Sequence, residues 1–299
     1  MLSGTLVPLV TPFLAGMIDE DAFAHHVEML LAAGVSGLVT GAIAGEGPTL
    51  MPREKERLIR VAVEATGRRV PVIAATGTNA TEATILATRA ARDAGASAAL
   101  LVTPYYNKPS QEGMYRHFKA VAEAADLPLI LHNAPQRTQV TLAPETLDRL
   151  GQLPSIFALL DESDDLCRQR AVAEVCAERL WRIAPGSLAA FLPGLRPPRA
   201  CLSLAANIAP RLCVRLWEHR LAGRGKDVAA LAAALDTLQH ALDLEPEPVG
   251  AKYAVSLLTP TFSPTPRLPL TAATPAAASA IRVALAALAG THERALHPV

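Results

Sequence analysis

The chain of 299 residues has few aromatic residues, few cysteines and no excess of either charge. Aromatic side chains make up 4% of it, and 28 lysines and arginines balance 28 aspartates and glutamates. A balanced charge gives no indication of nucleic acid or an anionic membrane surface as a partner. The sequence also lacks the ~18 uninterrupted apolar residues of a membrane-spanning helix and the basic, then apolar, start of a signal peptide. We therefore expect a cytoplasmic protein without membrane or nucleic-acid partners.

Cysteine is equally scarce. The four cysteines, at positions 167, 176, 201 and 213, form no CxxC pair and no other spacing that is typical of metal ligands. Such a pattern is typical of reduced, mostly buried thiols in a protein of a reducing compartment. We therefore predict no metal site, no cofactor and no disulfide.

Hydrophobic residues, in contrast, make up 51% of the chain, and they occur as short apolar runs alternating with helical patterns. A run without polar interruption is typical of a parallel strand that is covered on both faces. The eight predicted strands are Thr5–Val10, Val35–Thr40, Val70–Ala75, Ala98–Val102, Pro128–Leu131, Ile156–Leu160, Leu180–Ile183 and Ala200–Leu202. Eight βα units without the glycine spacing of a dinucleotide-binding fold favour an α/β protein of the (β/α)8 TIM-barrel class.

The pattern changes after the eighth strand. From Ile208 onward only helical periodicity remains, over Ile208–Leu221, Val228–Leu242, Pro248–Leu257 and Ala276–Leu288. The seventh strand is followed by a short predicted helix from Ser187, and the chain closes with a tail that we expect to be frayed, Thr291–Val299. We therefore predict a barrel at residues 1–206 and a C-terminal helical extension at residues 207–299 that packs on it.

The polar segments that follow the strands matter most, because barrel enzymes place their functional residues at the carboxyl ends of the strands. The fourth strand is followed by Thr103-Pro-Tyr-Tyr-Asn-Lys-Pro-Ser-Gln-Glu-Gly113, and the fifth by His132-Asn-Ala-Pro-Gln-Arg-Thr138. The second is followed by Gly41-Ala-Ile-Ala-Gly-Glu46. On these segments the chain resembles the dihydrodipicolinate synthase / N-acetylneuraminate lyase family, and the resemblance runs from about Gly4 to Leu288.

The resemblance implies pyruvate-dependent class I aldolases on a (β/α)8 barrel. In that family a lysine at the end of the sixth strand forms a Schiff base with the ketone, and the imine acts as an electron sink. The aligned position here is Leu160, and the sequence contains no lysine between Lys119 and Lys226. The resemblance therefore implies a divergent member that cannot form the usual imine.

Other functional positions of the family are also altered. The proton-relay tyrosine aligns with His132, and the two hydroxyl residues that bind the ketoacid carboxylate align with Ile43 and Ala44. Tyr106, which the family extends into a neighbouring subunit, and Arg137, which meets the second substrate at the entrance, are retained. Gly186 and Leu202 match backbone positions beside the pyruvate pocket. By resemblance we expect a homodimer or homotetramer.

Each of these residues also has a purely structural interpretation. Tyr105 and Tyr106 could be packing aromatics of an interface, and Arg137 a surface ion-pair partner. His132 could act as an acid or base near neutral pH, but a buried histidine with satisfied hydrogen bonds is the interpretation that we favour. Four acids, at positions 161, 162, 164 and 165, could suggest a hard-metal site. The last three precede a helix, however, where acids stabilise the helix dipole.

Three functions remain open at this point. The first is a lyase-type enzyme that acts on a different small ligand, such as a ketoacid, without an imine, using His132 and Tyr106 as candidate catalytic residues. Ile43, Ala44, Arg137, Gly186 and Leu202 are the candidate ligand-binding residues. The second is an inactive paralogue that binds a small molecule or partners an active homologue. The third, an aldolase with a displaced lysine, has Lys108 as its only candidate near the barrel mouth, and that position looks exposed.

Overall fold

The structure is a computed structural model, and it describes residues 2–163, 165–176, 179–186 and 196–291. The predicted helix from Ser187 and all of the predicted tail except Thr291 lie outside the described residues. Within the described ranges, no helix is long and apolar enough to cross a membrane.

Eight parallel strands form a closed barrel in the order β1-β10-β9-β8-β7-β6-β5-β4. Their bounds are β1 Gly4–Pro8, β4 Gly37–Thr40, β5 Val72–Ala75, β6 Ala98–Val102, β7 Leu129–Asn133, β8 Ile156–Asp161, β9 Trp181–Pro185 and β10 Ala200–Leu202. All eight predicted strands are present, so the (β/α)8 prediction is confirmed. Most residues of the barrel strands are buried, as expected of continuous apolar runs that are covered on both faces.

Seven helices lie between the strands of the barrel, and four more follow the last strand in the described residues. They are α1 Glu20–Ala32, α2 Pro52–Thr66, α3 Thr81–Asp93, α4 Gln111–Ala124, α5 Pro135–Thr138, α6 Pro144–Leu150, α7 Leu166–Cys176, α8 Pro210–Leu221, α9 Gly225–Leu242, α10 Val249–Leu258 and α11 Pro275–Thr291. Two single turns of 3-10 helix lie at Gly47–Thr49 and Leu204–Asn207. The side chains of Asp19 and Ser110 cap α1 and α4 by accepting backbone hydrogen bonds, which explains where these helices begin.

Besides the turns of 3-10 helix, a hairpin and a one-turn helix were not predicted from the sequence. A small antiparallel hairpin, β2 Phe13–Leu14 and β3 Met17–Ile18, follows the first barrel strand. The helix α5 occupies one turn directly after β7. Both are too short to produce a recognisable hydrophobic period.

The chain divides into two compact units. One contains the chain up to Val70, Gly186 and the chain from Cys201 onward; the other contains the chain from Pro71 to Pro185 and the segment that ends at Ala200. The described residues contain no strand beyond Leu202, and helices α8 to α11 follow it. The division into a barrel at residues 1–206 and an extension at residues 207–299 stays a prediction.

Candidate functional site

The carboxyl ends of β7 and β8 bring His132 and Leu160 together. The two residues are register partners on these neighbouring parallel strands, and Leu160 is also paired with Ile183 of β9. Leu160 is fully buried. The position that the family resemblance assigns to an imine-forming lysine therefore holds an apolar side chain without a nucleophile.

The strand β8 continues one residue beyond the predicted end, through Asp161. Asn133 and Asp161 are register partners, and Asn133 Nδ2 donates a hydrogen bond of 2.8 Å to Asp161 Oδ1. Arg168 forms an ion pair of 3.2 Å with Asp161 Oδ2, and both side chains are about nine-tenths buried. Asp161 therefore has a structural role at the end of β8, because both of its carboxylate oxygens already have partners.

The acids after β8 have separate tasks. Asp165 Oδ1 accepts hydrogen bonds from the backbone N–H groups of Cys167 and Arg168 at the start of α7, as acids at a helix N-terminus do. Among the described residues no group of three or more histidine, cysteine or acidic side chains is arranged to hold a metal ion. Asp164, the remaining acid of this run, lies outside the described residues.

His132 meets an acid that the sequence did not single out as its partner. Its Nε2 lies 3.1 Å from Glu162 Oε1, an ion-pair distance, and the side chains are 12% and 35% exposed. The ring nitrogen is buried and has no well-aligned hydrogen bond within the described residues. The contact is therefore electrostatic. His132 differs in this respect from a buried histidine whose hydrogen bonds are all satisfied.

The electrostatics of Glu162 fit this contact. Burial has the largest single effect and pushes the pKa of the Glu162 carboxyl up, but His132 and the positive charge of Arg137 together outweigh it. The net pKa of Glu162 lies below its ordinary value, so the carboxylate is ionised near neutral pH. The backbone helps to hold it there, since Glu162 N donates a hydrogen bond of 2.9 Å to Asn133 O.

The loop after β6 projects two tyrosines and a lysine. Tyr106 is 91% exposed and Tyr105 40% exposed, and Tyr106 and Lys108 adopt positive φ angles of 71° and 42°. Few residues other than glycine adopt this region. Lys108 is exposed, as the sequence suggested. Arg137 is also exposed, on the single turn of α5.

In the other compact unit, Ile43 and Ala44 lie in the turn after β4; Ala44 is fully buried and Ile43 partly exposed. A Cβ atom on Gly45 would lie 2.9 Å from Leu9 O, so the close approach of two backbone segments requires glycine there. Gly186, with a φ of 87°, donates a backbone hydrogen bond of 2.7 Å to Leu202 O. Ile43 and Ala44 are therefore neighbours in one turn, and Gly186 and Leu202 are joined by a backbone hydrogen bond.

The same unit contains a buried ion pair that the sequence analysis missed. Lys252 Nζ lies 2.7 Å from Glu46 Oε1, and both side chains are 0% exposed. Lys252 also donates to Thr265 O, and Arg267 N donates to Glu46 Oε2. The pair ties the turn that carries Ile43 and Ala44 to the C-terminal helices. No local signal marks it, because the partners are 206 positions apart.

Comparison with known proteins gives a consistent result. The model of the dihydrodipicolinate synthetase family matches residues 1–288. The chain belongs to this family. It is 41% identical over 285 residues to a 4-hydroxy-tetrahydrodipicolinate synthase of Rhodospirillum centenum, with 95% of this chain and 98% of that protein covered.

Solved structures of family members agree in fold. A chloride-inhibited dihydrodipicolinate synthase from Acinetobacter baumannii, complexed with pyruvate, superposes with a TM-score of 0.90 at 34% identity, covering 96% of this chain and 98% of that one. A structure described as the first monomeric dihydrodipicolinate synthase variant superposes with a TM-score of 0.87 at 30% identity, covering 95% and 96%. This chain is therefore a member of a lyase family, and it has Leu160 as the penultimate residue of β8.

Proposed function

We propose that this family member binds a small ketoacid or related carboxylic acid at the barrel mouth and acts on it without an imine. The observation that carries the proposal is the contact between His132 and Glu162 directly beside the buried Leu160. A histidine next to an ionised carboxylate is a common acid–base arrangement, because the carboxylate orients the ring and stabilises its protonated form. His132 would give a proton to an oxygen of the ligand or take one from it. The Glu162 carboxylate would stabilise the positive charge of the ring while the ring holds the proton.

Ordinary family catalysis is a poor alternative on energetic grounds. Loss of a catalytic nucleophile costs on the order of 10³- to 10⁶-fold in rate, by analogy with hydrolase triads. Here the family's lysine, tyrosine and hydroxyl positions hold Leu160, His132, Ile43 and Ala44. Three of these positions, Leu160, Ile43 and Ala44, are apolar together. This supports a change of ligand more than the loss of a single catalytic step.

Arg137, Gly186 and Leu202 are the remaining ligand-binding residues of the proposal. Arg137 is exposed, and its positive charge helps to lower the pKa of Glu162. A guanidinium group in this position suits a carboxylate ligand. Tyr106 stays a proposed contribution to a neighbouring subunit in a homodimer or homotetramer, since 91% exposure leaves its ring unpacked in the single chain. A cytoplasmic location stays a prediction.

A second candidate follows from the same site. The chain could be an inactive paralogue that binds the small molecule, or that assembles with an active homologue, and the buried, apolar side chain of Leu160 favours it. Binding and turnover must therefore be measured separately.

The test begins with a thermal-shift screen of 2-ketoacids and amino acids on the full chain, followed by NMR detection of turnover for every binder. We expect His132→Gln and Glu162→Gln each to lower turnover by about 10²- to 10⁴-fold while binding persists. His25→Gln and Glu123→Gln, which replace exposed residues of α1 and α4, are the matched controls. Binding without turnover favours the inactive paralogue, and turnover that survives both substitutions contradicts the proposed chemistry.

A further inference from the structure

We propose that a pocket lined by Arg179, Arg182, Arg196 and Arg199 binds the phosphate group of a small molecule. The space between the lining residues measures about 440 Å³, a volume that includes open solvent. The other lining residues are Ala173, Cys176, Leu180, Trp181 and Pro197. All nine belong to one compact unit.

The pocket is separate from the proposed ketoacid site. Trp181 is the first residue of β9, whereas His132 and Leu160 lie near the carboxyl ends of β7 and β8. Parallel neighbouring strands place these positions at opposite ends of the sheet, and barrel enzymes carry out their chemistry at the carboxyl end. A ligand here would therefore be a modulator or a stabiliser of the protein, not its substrate.

The charged residues that line the pocket are all positive. Four of the nine lining residues are arginines and none is acidic. One acid from outside the lining, Asp148, pairs with Arg179 at 2.8 Å, and the Arg179 side chain remains 44% exposed. Arginine stays protonated at any physiological pH, so the lining carries a concentrated positive charge.

Contacts with protein groups orient the guanidinium groups of Arg182 and Arg199, and a backbone hydrogen bond joins the two segments that carry them. Arg182 donates a hydrogen bond to the backbone oxygen of Arg196, and Arg199 N donates to Arg182 O at 2.9 Å. The Arg199 guanidinium lies 4.0 Å from the centroid of the Trp181 ring, and Phe157 meets that ring edge-on at 5.5 Å. Groups oriented before binding lose less side-chain entropy when an anion arrives.

The inner wall of the pocket adds no negative charge. Burial raises the pKa of the Cys176 thiol to about 12, and the side chain is 1% exposed, so it stays a neutral thiol. Arginines around a neutral wall suit a phosphate, because a guanidinium group donates paired N–H hydrogen bonds and a phosphate accepts them. Carboxylates share part of this chemistry, but a phosphate offers more oxygens and a higher charge to four arginines.

Trp181 makes the proposal measurable. The chain has two tryptophans, and the other, Trp217, is 3% exposed and belongs to the other compact unit. The experiment titrates full-length protein with inorganic pyrophosphate at constant ionic strength, following tryptophan emission and, independently, the heat of binding. Trp181→Phe assigns the emission change.

We expect saturable binding of pyrophosphate and a loss of at least about tenfold in affinity in the double variant Arg196→Gln/Arg199→Gln. Arg60→Gln, an exposed arginine on α2 that pairs with Glu56, should leave affinity unchanged, and citrate should bind more weakly than pyrophosphate. Equal binding by the double variant, equal effects of pyrophosphate and sulfate, or no saturation overturns the proposal. Far-UV circular dichroism confirms that each variant is folded.

Discussion

Leu160 and His132 are register partners at the ends of two neighbouring parallel strands, and Leu160 is completely buried. The pairing places an apolar side chain and an ionisable ring side by side where other barrels place reacting groups. Glu162, two residues beyond Leu160, reaches back to the ring at 3.1 Å. Near the end of β8 a buried leucine therefore lies beside a histidine that contacts a carboxylate, and the proposed function rests on this contact.

The substitution Leu160→Lys should not restore family activity. A lysine here would add the amine, but Ile43, Ala44 and His132 would still replace the relay and binding groups. We expect synthase turnover to remain at least ~10³-fold below that of an active relative assayed alongside. Leu160→Met, which keeps the side chain apolar, is the matched control for packing. Turnover equal to that of the active relative would refute the interpretation that several groups were lost together.

Removal of one partner of the buried pair Lys252–Glu46 should destabilise the protein strongly. Lys252→Met leaves the Glu46 carboxylate buried and unpaired, which costs about 3–5 kcal/mol. Urea denaturation of the two single variants, Lys252→Met and Glu46→Gln, and of the double variant gives the coupling free energy.

We expect this coupling to be about 1–3 kcal/mol, with the double variant more stable than the sum of the single effects predicts. Arg60→Met, which breaks an exposed ion pair with Glu56, should cost less than about 0.5 kcal/mol. Strictly additive effects at Lys252 and Glu46 would show that the two groups do not interact.

His117 should make the protein less stable at pH 5 than at pH 7. Burial lowers the pKa of His117 from 6.5 to about 4, and Nδ1 meets Thr81 Oγ1 at 3.0 Å. Because the unfolded chain takes up a proton near pH 6.5 while the folded chain does not, stability falls as pH drops from 6.5 towards 4. The contribution between pH 7 and pH 5 is about 2 kcal/mol.

The check compares urea denaturation at the two pH values. His117→Gln can keep a hydrogen bond to Thr81 but cannot be protonated, so its loss of stability on acidification should be smaller by about 2 kcal/mol. His25→Gln, at an exposed position of α1, should retain the pH dependence of the parent protein. An identical pH dependence in His117→Gln would mean that the His117 ring takes up a proton as readily in the folded protein as in the unfolded chain, and would contradict the prediction.

The sequence was sufficient to predict the barrel because eight apolar runs alternate with amphipathic helices over the whole chain. It was also sufficient to place Leu160 and His132 near strand ends, since their segments resemble family motifs. The end of β8 was predicted one residue early, at Leu160, because an acid usually terminates an apolar run. Here the side chain of Asn133 and the ion pair with Arg168 keep Asp161 in the strand.

Two features of the site could not be predicted in this way. The contact between His132 and Glu162 depends on the register of β7 against β8, which shifts between Leu129 and Ile130. A shift of this kind leaves no period in the sequence. The Lys252–Glu46 pair joins residues 206 positions apart, and a lysine within an apolar helix gives no indication of its partner.

The most direct test of the central claim is borohydride reduction of the full chain in the presence of pyruvate, followed by intact-protein and peptide mass spectrometry. An active dihydrodipicolinate synthase treated in parallel shows that trapping works. We predict no covalent adduct on this chain, since Leu160 offers no amine and Lys252 is held by Glu46. A reduced pyruvate adduct on any lysine, Lys108 and Lys252 included, would contradict the account.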